Sequence, residues 1–209
     1  MYEVEIKVRI QDLEELREQI RYNGGSYKIS LLHEDVYYNM PKELRDFKKT
    51  DEALRLRKSE EFDKNNNDFF LKSKSYLTYK GKKIDSITKT REEIEVKVDN
   101  IDNMKAILKV LGFQEVIIVQ KERELFELIY QDEKIEILLD YIPLLNQYFM
   151  ELEMVVSLPQ NIDEAQGILF KLLKIFNIEK DESIRKSYLE LIIENQKIRQ
   201  KKSEKLEKE

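Results

Sequence analysis

No cysteine occurs among the 209 residues. Disulfides, zinc–thiolate centres and cysteine nucleophiles are therefore excluded. There is one histidine, His33, which rules out chemistry that needs two imidazoles. It reads as an ordinary strand or surface residue. No apolar run approaches the ~20 residues of a membrane-crossing helix. The opening residues, Met1-Tyr2-Glu3-Val4-Glu5, read as an acidic strand and not as a secretion signal. The expected location is the cytoplasm, with no membrane partner. No repeat at a fixed period and no domain linker is visible.

Charge is what the chain has in excess. Asp, Glu, Lys and Arg make up 38% of it, against about a quarter in ordinary domains. The net charge is −5. That balance argues against a nucleic-acid binder, whose surface is usually basic. A local basic pocket stays compatible with it, because a pocket uses few residues. Hydrophobic residues, at 41%, are enough for one core.

Residues 2–10, YEVEIKVRI, alternate apolar and charged side chains, the period of a strand with two unlike faces. Strand-like segments recur at about 26–40, 52–60, 68–80, 88–98, 114–129, 133–142 and 148–157. Helical spacing marks 12–22, with Asp12 as N-cap, then 101–111, 162–176, and a last segment from about 183 onward. Gly24 and Gly112 read as helix stops. EFDKNNND at 61–68 reads as a hairpin loop. Eight strands with few helices predict an α+β fold, an antiparallel β-barrel or sandwich with helices at its edge.

The unusual feature is which charges share a strand face, since residues i, i+2 and i+4 point the same way. Glu3, Glu5 and Lys7 lie opposite Val4, Ile6 and Val8. Arg55 and Arg57 share a face, as do Thr78 and Lys80. Arg91, Glu93, Glu95 and Lys97 share another. Lys121 pairs with Arg123, and Glu151 with Glu153. One such strand would be a solvated face. Six, often with one sign of charge per face, call for something between the like charges. A metal ion would serve carboxylates, and a phosphate would serve cations. With the apolar faces outward under helices, the charged faces would line a barrel wide enough for one small ligand. Mg²⁺ or Mn²⁺ prefers such oxygen donors, and Arg and Lys hold phosphate oxygens. Cations sharing a face also repel when the site is empty. Removing Arg57 is thus expected to leave thermal stability unchanged or slightly higher.

Glu3-Val4-Glu5-Ile6-Lys7 matches the ExExK signature of the CYTH superfamily, the triphosphate tunnel metalloenzymes. An ordered set follows it: Asp35-Val36-Tyr37-Tyr38, Leu54-Arg55-Leu56-Arg57, Leu77-Thr78-Tyr79-Lys80-Gly81, Arg91-Glu92-Glu93-Ile94-Glu95, Lys121-Glu122-Arg123, Leu139-Asp140, Glu151-Leu152-Glu153 and Lys186-Ser187-Tyr188. The chain resembles that superfamily over about residues 1–191, with 192–209 as a charged helical extension. The resemblance implies an eight-stranded triphosphate tunnel with flanking helices and a C-terminal helix. It implies Glu3, Glu5, Glu151 and Glu153, with Asp140 nearby, as metal ligands. Lys7, Arg55, Arg57, Lys80, Arg123 and Lys186 would bind the triphosphate. Lys121 resembles the lysine proposed as a general base, with Tyr37 near the matching tyrosine. Glu93 and Glu95 would organise the tunnel's cations. Two departures bear on substrate choice: Tyr141–Asn146 lacks the glycines of cyclase-like members, and the hairpin after Arg57 is enlarged.

Two enzymatic activities are therefore expected in competition. One is a Mg²⁺- or Mn²⁺-dependent hydrolase of tripolyphosphate or of nucleoside or organic triphosphates. The other is a class IV adenylyl cyclase, a lyase making cyclic AMP and pyrophosphate from ATP. A non-catalytic polyphosphate-binding module is the third reading, and a plain anion binder has no use for four clustered carboxylates. The resemblance also makes a homodimer plausible. Glu92, Glu122 and Glu124 have the opposite parity and are expected in solvent.

Overall fold

A computed structural model describes residues 2–41, 43–64, 69–84 and 90–206, with side chains described as far as residue 200. The element order is β1 (Tyr2–Ile10), α1 (Leu13–Tyr22), β2 (Ser26–Asn39), α2 (Phe47–Thr50), β3 (Ala53–Asp63), β4 (Phe69–Lys80), β5 (Arg91–Val98), α3 (Ile101–Val110), β6 (Gln114–Tyr130), β7 (Glu133–Ile142), β8 (Gln147–Val156), α4 (Ile162–Ile175) and α5 (Tyr188–Leu206). The strands close into a barrel in the order β1-β5-β4-β3-β2-β6-β7-β8, every pair antiparallel. The expected barrel, its eight strands and its flanking helices are all present. The tip of the enlarged hairpin lies outside the described residues.

Strand alternation turns the apolar faces outward. Val4, Ile6 and Val8 of β1 pack with Met150 and Leu152 of β8 beneath Leu16 and Ile20 of α1 and Leu169, Leu172 and Leu173 of α4. A second cluster joins Val36, Leu54, Leu56 and Val98 to Leu108 of α3 and Phe47 of α2. The helices follow the predicted signals. Asp12 accepts a hydrogen bond from the Glu15 amide at 3.0 Å and caps α1. Gly24 (φ 90°) and Gly112 (φ 85°) turn the chain after α1 and α3 in the left-handed region that glycine tolerates.

The third cluster closes the barrel. Tyr188, Leu191 and Ile192 of α5 pack on Tyr37, Val119 and Phe149. The expected division at 191/192 thus falls inside α5, where Ile192 is 1% exposed. Among the described residues, no helix is long and apolar enough to cross a membrane.

Candidate functional site

The inward faces surround a cavity of about 750 Å³. Of the expected site residues, Glu3, Glu5, Tyr37, Arg55, Arg57, Lys80, Glu93, Glu95, Lys121, Arg123, Glu151, Glu153 and Lys186 all border it. The strand order gives the cavity two unlike walls. β1 and β8 are neighbours, and β3 and β2 lie halfway round the ring from them. Glu3, Glu5 and Glu153 therefore stand on one side, and Arg55 and Arg57 on the other.

The acidic wall is built by register. Glu5 pairs directly with Glu153 across β1 and β8. Glu3, Glu5 and Glu153 each bring a carboxylate oxygen within 4.8 Å of the others. Burial, then Glu3, pushes the Glu153 carboxyl well above its ordinary range. Crowded like charge of this kind, with oxygen as the only donor type, fits a hard divalent cation such as Mg²⁺ or Mn²⁺.

Two members of the expected metal set are arranged differently. Asp140 is fully buried and does not border the cavity. Arg123 grips both of its oxygens at 2.6 Å, and the Tyr188 hydroxyl donates to one at 2.9 Å. Glu151 accepts from Arg123 and lies 3.5 Å from the Lys7 ammonium. Both carboxylates are thus engaged by cations, and the triad Glu3, Glu5 and Glu153 is the better donor set. Lys7, expected to bind phosphate, is also buried beneath the wall. It donates to the Lys186 carbonyl at 2.8 Å and sits 3.8 Å from the centre of the Tyr188 ring. These contacts tie Lys7 to the segment that leads into α5.

The cationic wall carries a carboxylate that the sequence reading left without a role. Asp35 is 2% exposed. Arg57 donates to both its oxygens at 2.6 and 2.7 Å, and Arg55 lies 3.9 Å away. Burial pushes the Asp35 carboxyl upward, but Arg57 and then Arg55 more than reverse this and hold it far below the usual carboxylate range. The signal was there: Asp35 has the same parity as Tyr37 on β2. Arg55 donates to the Thr78 hydroxyl at 3.1 Å, and Thr78 donates to Glu95 at 2.8 Å. Lys80 is paired with Glu93. Glu93 and Glu95 thus lie against Lys80 and Arg55. Arg91, 6% exposed, and Lys83, which bridges Asp51 and Glu190, add cations on the same cavity.

Asp35 changes the stability expectation for Arg57. Arg57→Ala leaves a buried carboxylate without its bidentate partner, with Arg55 and then Lys121 as its remaining cations, so a loss of about 2–3 kcal/mol is expected instead of a neutral or positive change. The Asp35 carboxyl is depressed in the folded state. Its contribution is thus present above the unfolded pKa near 3.9 and fades as pH falls below it. The deficit should shrink in acid, and Asp35→Asn in the same background should recover part of it. Thermal denaturation at pH 7 and pH 3 measures both.

Lys121 stands beside Arg123 on β6, opposite His33 on β2. Its ammonium lies 3.6 Å from Asp140, whose oxygens are already held by Arg123. Burial, then Arg123, lowers Lys121 to about 8 against the pull of Asp140. His33 is 3% exposed and so is not a surface residue. Burial, then Arg57, holds it in the neutral form. Lys186, just ahead of α5, is half exposed and bound to Glu194 at the cavity mouth. Of the three glutamates expected in solvent, Glu92 and Glu122 are exposed. Glu124 is 8% exposed because Arg17 of α1 and Lys64 cover it.

Comparison with known proteins agrees with this fold. The CYTH domain model matches residues 1–188. A Methanocaldococcus jannaschii protein, provisionally named an adenylate cyclase, is 44% identical over 191 residues, which is 91% of this chain and 98% of that protein. The solved structure of the PH1819 protein from Pyrococcus horikoshii is 38% identical, with a TM-score of 0.78 over 92% of this chain and 99% of that one. HpAC1 from Hippeastrum, described as an adenylyl cyclase candidate with a dominant triphosphatase activity, shares the fold at 16% identity, with a TM-score of 0.60 over 92% of this chain and 96% of that one. With its family model spanning nearly the whole barrel and a curated relative aligned almost end to end, the chain belongs to the CYTH domain family.

Proposed function

We propose that this protein is a divalent-metal-dependent triphosphatase that takes tripolyphosphate or a nucleoside triphosphate into its barrel. One observation carries the reading: a three-carboxylate cluster faces an arginine wall across a single cavity. Glu3, Glu5 and Glu153 would hold Mg²⁺ or Mn²⁺, which would supply charge neutralisation for the phosphate oxygens and a more acidic water. Arg55, Arg57, Lys80 and Arg123 hold phosphate oxygens, with Lys186 at the mouth. Phosphoryl transfer asks mainly for such positioning and charge neutralisation. Lys121 takes a proton from the attacking water, and Tyr37 orients the phosphate chain beside it.

Asp140 and Glu151 act through Arg123, holding its guanidinium fixed. Arg57 is oriented in the same way by Asp35. Prearranged donors of this kind cost little reorganisation at the moment of reaction.

Cyclisation of ATP is the second reading, favoured by the provisional name of the 44% identical M. jannaschii relative. It uses the same groups with the ribose 3′-hydroxyl as nucleophile. Hydrolysis is preferred because it needs only the cavity and a positioned water. Incubation with tripolyphosphate or ATP plus Mg²⁺ or Mn²⁺, with phosphate, pyrophosphate and cyclic AMP measured together, decides. Phosphate release without cyclic AMP is expected. Cyclic AMP in equal yield with pyrophosphate would establish the cyclase, and tight binding without any product would establish a binding module.

A further inference from the structure

The proposed reaction makes no use of His33, although this side chain lies inside the barrel. His33 has the parity of Asp35 and Tyr37 on β2, and both of these border the cavity. It pairs across the sheet with Lys121 on β6 and with Ser59 on β3. All three residues are buried, so water has little access to this row. Among the described residues, two buried side-chain polar atoms have no hydrogen-bond partner: Nδ1 of His33 and Nε of Arg55. Buried nitrogens are seldom left this way, because an unmade hydrogen bond costs about 1–3 kcal/mol. Both atoms belong to the wall that faces the carboxylate cluster. Nε of Arg55 is a donor without an acceptor. A protonated imidazole donates from both nitrogens, so Nδ1 of His33 becomes a second such donor once the ring is charged.

The surroundings decide when the ring is charged. Burial disfavours the charged form first, and Arg57, Lys121, Arg123 and Arg55 then add to it. The carboxylates on the elements around the ring are engaged elsewhere. Asp35 on β2 is held at both oxygens by Arg57, and Asp140 on β7 by Arg123. Glu61, two residues beyond Ser59 on β3, is paired with Lys72 and Lys74 of β4. The empty barrel therefore keeps the ring neutral. A phosphate chain between these cations brings several negative charges into a site of low dielectric, where an opposite charge favours the protonated ring.

We propose that His33 is a substrate-binding group that takes up a proton from solvent when a phosphate chain enters the barrel, and so joins Arg55, Arg57, Lys121 and Arg123 as a cation of the wall. The inference rests on the reading of the cavity as a triphosphate site, and it holds for hydrolysis and cyclisation alike. A neutral ring spares the empty barrel one more charge among four cations. The charge appears only against a ligand that compensates it. Proton uptake also ties affinity to pH. A group whose pKa rises on binding makes binding tighten as pH falls, by at most about tenfold per pH unit for one proton.

Calorimetry of the full chain with metal-free sodium tripolyphosphate, from pH 6 to pH 8 in buffers of unlike protonation heat, tests this. The wild type is expected to take up close to one proton more than His33→Gln, which keeps a polar but uncharged side chain. Its affinity should also improve more steeply than the variant's as pH falls. Protonation of tripolyphosphate and of Lys121 is common to both proteins and cancels in the comparison. Because the chain has one histidine, an NMR spectrum of the imidazole nitrogens reads the same event in the unaltered protein. At pH 7 it should show one protonated nitrogen in the empty barrel and two in the complex. Tripolyphosphate binding with a neutral ring throughout, or equal proton uptake by wild type and His33→Gln, would overturn this inference and leave the triphosphate reading standing. No binding of tripolyphosphate, with or without Mn²⁺, would overturn both.

Discussion

Glu5→Gln is expected to lower kcat about 10²–10³-fold while the barrel folds normally, a loss of about 3–4 kcal/mol of transition-state stabilisation. Glu5 is 7% exposed and pairs with Glu153 inside the three-carboxylate cluster. Glutamine keeps the size and one oxygen but removes the charge that holds a hard cation. The folded protein should not suffer. Glu153 is pushed up by burial, then by Glu3, with Glu5 adding to the effect. A carboxyl raised in the folded state costs stability that grows as pH climbs above its unfolded value near 4.3. Removing the Glu5 charge lessens that cost, so the metal-free variant should melt at or above the wild type at pH 7. Mn²⁺ should raise the wild-type melting temperature, and more so at pH 8 than at pH 6, because protons compete for the same oxygens. The variant should lose most of that shift. Calorimetry with and without Mn²⁺, beside steady-state kinetics, reads both. A variant within about threefold of wild-type kcat would mean that these carboxylates are not the metal site.

The barrel was legible because alternation is a local signal. β1 states its two faces in nine residues, β5 in eight and β8 in ten. Once the ring closes, parity alone sends Glu3, Glu5, Arg55, Arg57 and Glu153 inward. Parity cannot say which inward charges stay open to a ligand, because that depends on who meets whom across the ring. Asp140 became unavailable because it pairs with Arg123 on β6, 17 residues earlier. Lys7 was covered by Tyr188 and Lys186, which lie far along the chain at the head of α5. Asp35 lies 22 residues from Arg57, within β2, which reads as an ordinary aromatic strand. Glu124 points outward as its parity requires, but Arg17 on α1 folds over it. Each miss is a contact between distant segments that local periodicity does not encode.

Lys121→Arg separates the hydrolase mechanism from simple phosphate binding. The lysine side chain is 5% exposed and lies 5.6 Å from the Tyr188 ring centre. Burial and Arg123 bring it to about 8, so an appreciable fraction is neutral near pH 8, where an amine can take a proton from water. Arginine keeps the positive charge and the phosphate contact but does not deprotonate in proteins. If Lys121 is the base, wild-type kcat/KM should rise through an apparent pKa near 8, the deprotonated form being the active one. Lys121→Arg should then lower kcat by about 10²–10³-fold, within the usual range for a general base, and erase that limb. KM should change only a few-fold, since ground-state contact with the phosphate persists. Lys121→Ala should lose affinity as well, because it removes the charge along with the base. If the residue only binds phosphate, the arginine variant should keep most of the wild-type kcat, and the two pH profiles should overlay. Profiles of kcat and kcat/KM from pH 6 to pH 10, at fixed Mn²⁺ and ionic strength, tell these apart. A wild-type profile that is flat across that range would remove Lys121 from the chemical step and leave the attacking water to be activated at the carboxylate wall alone.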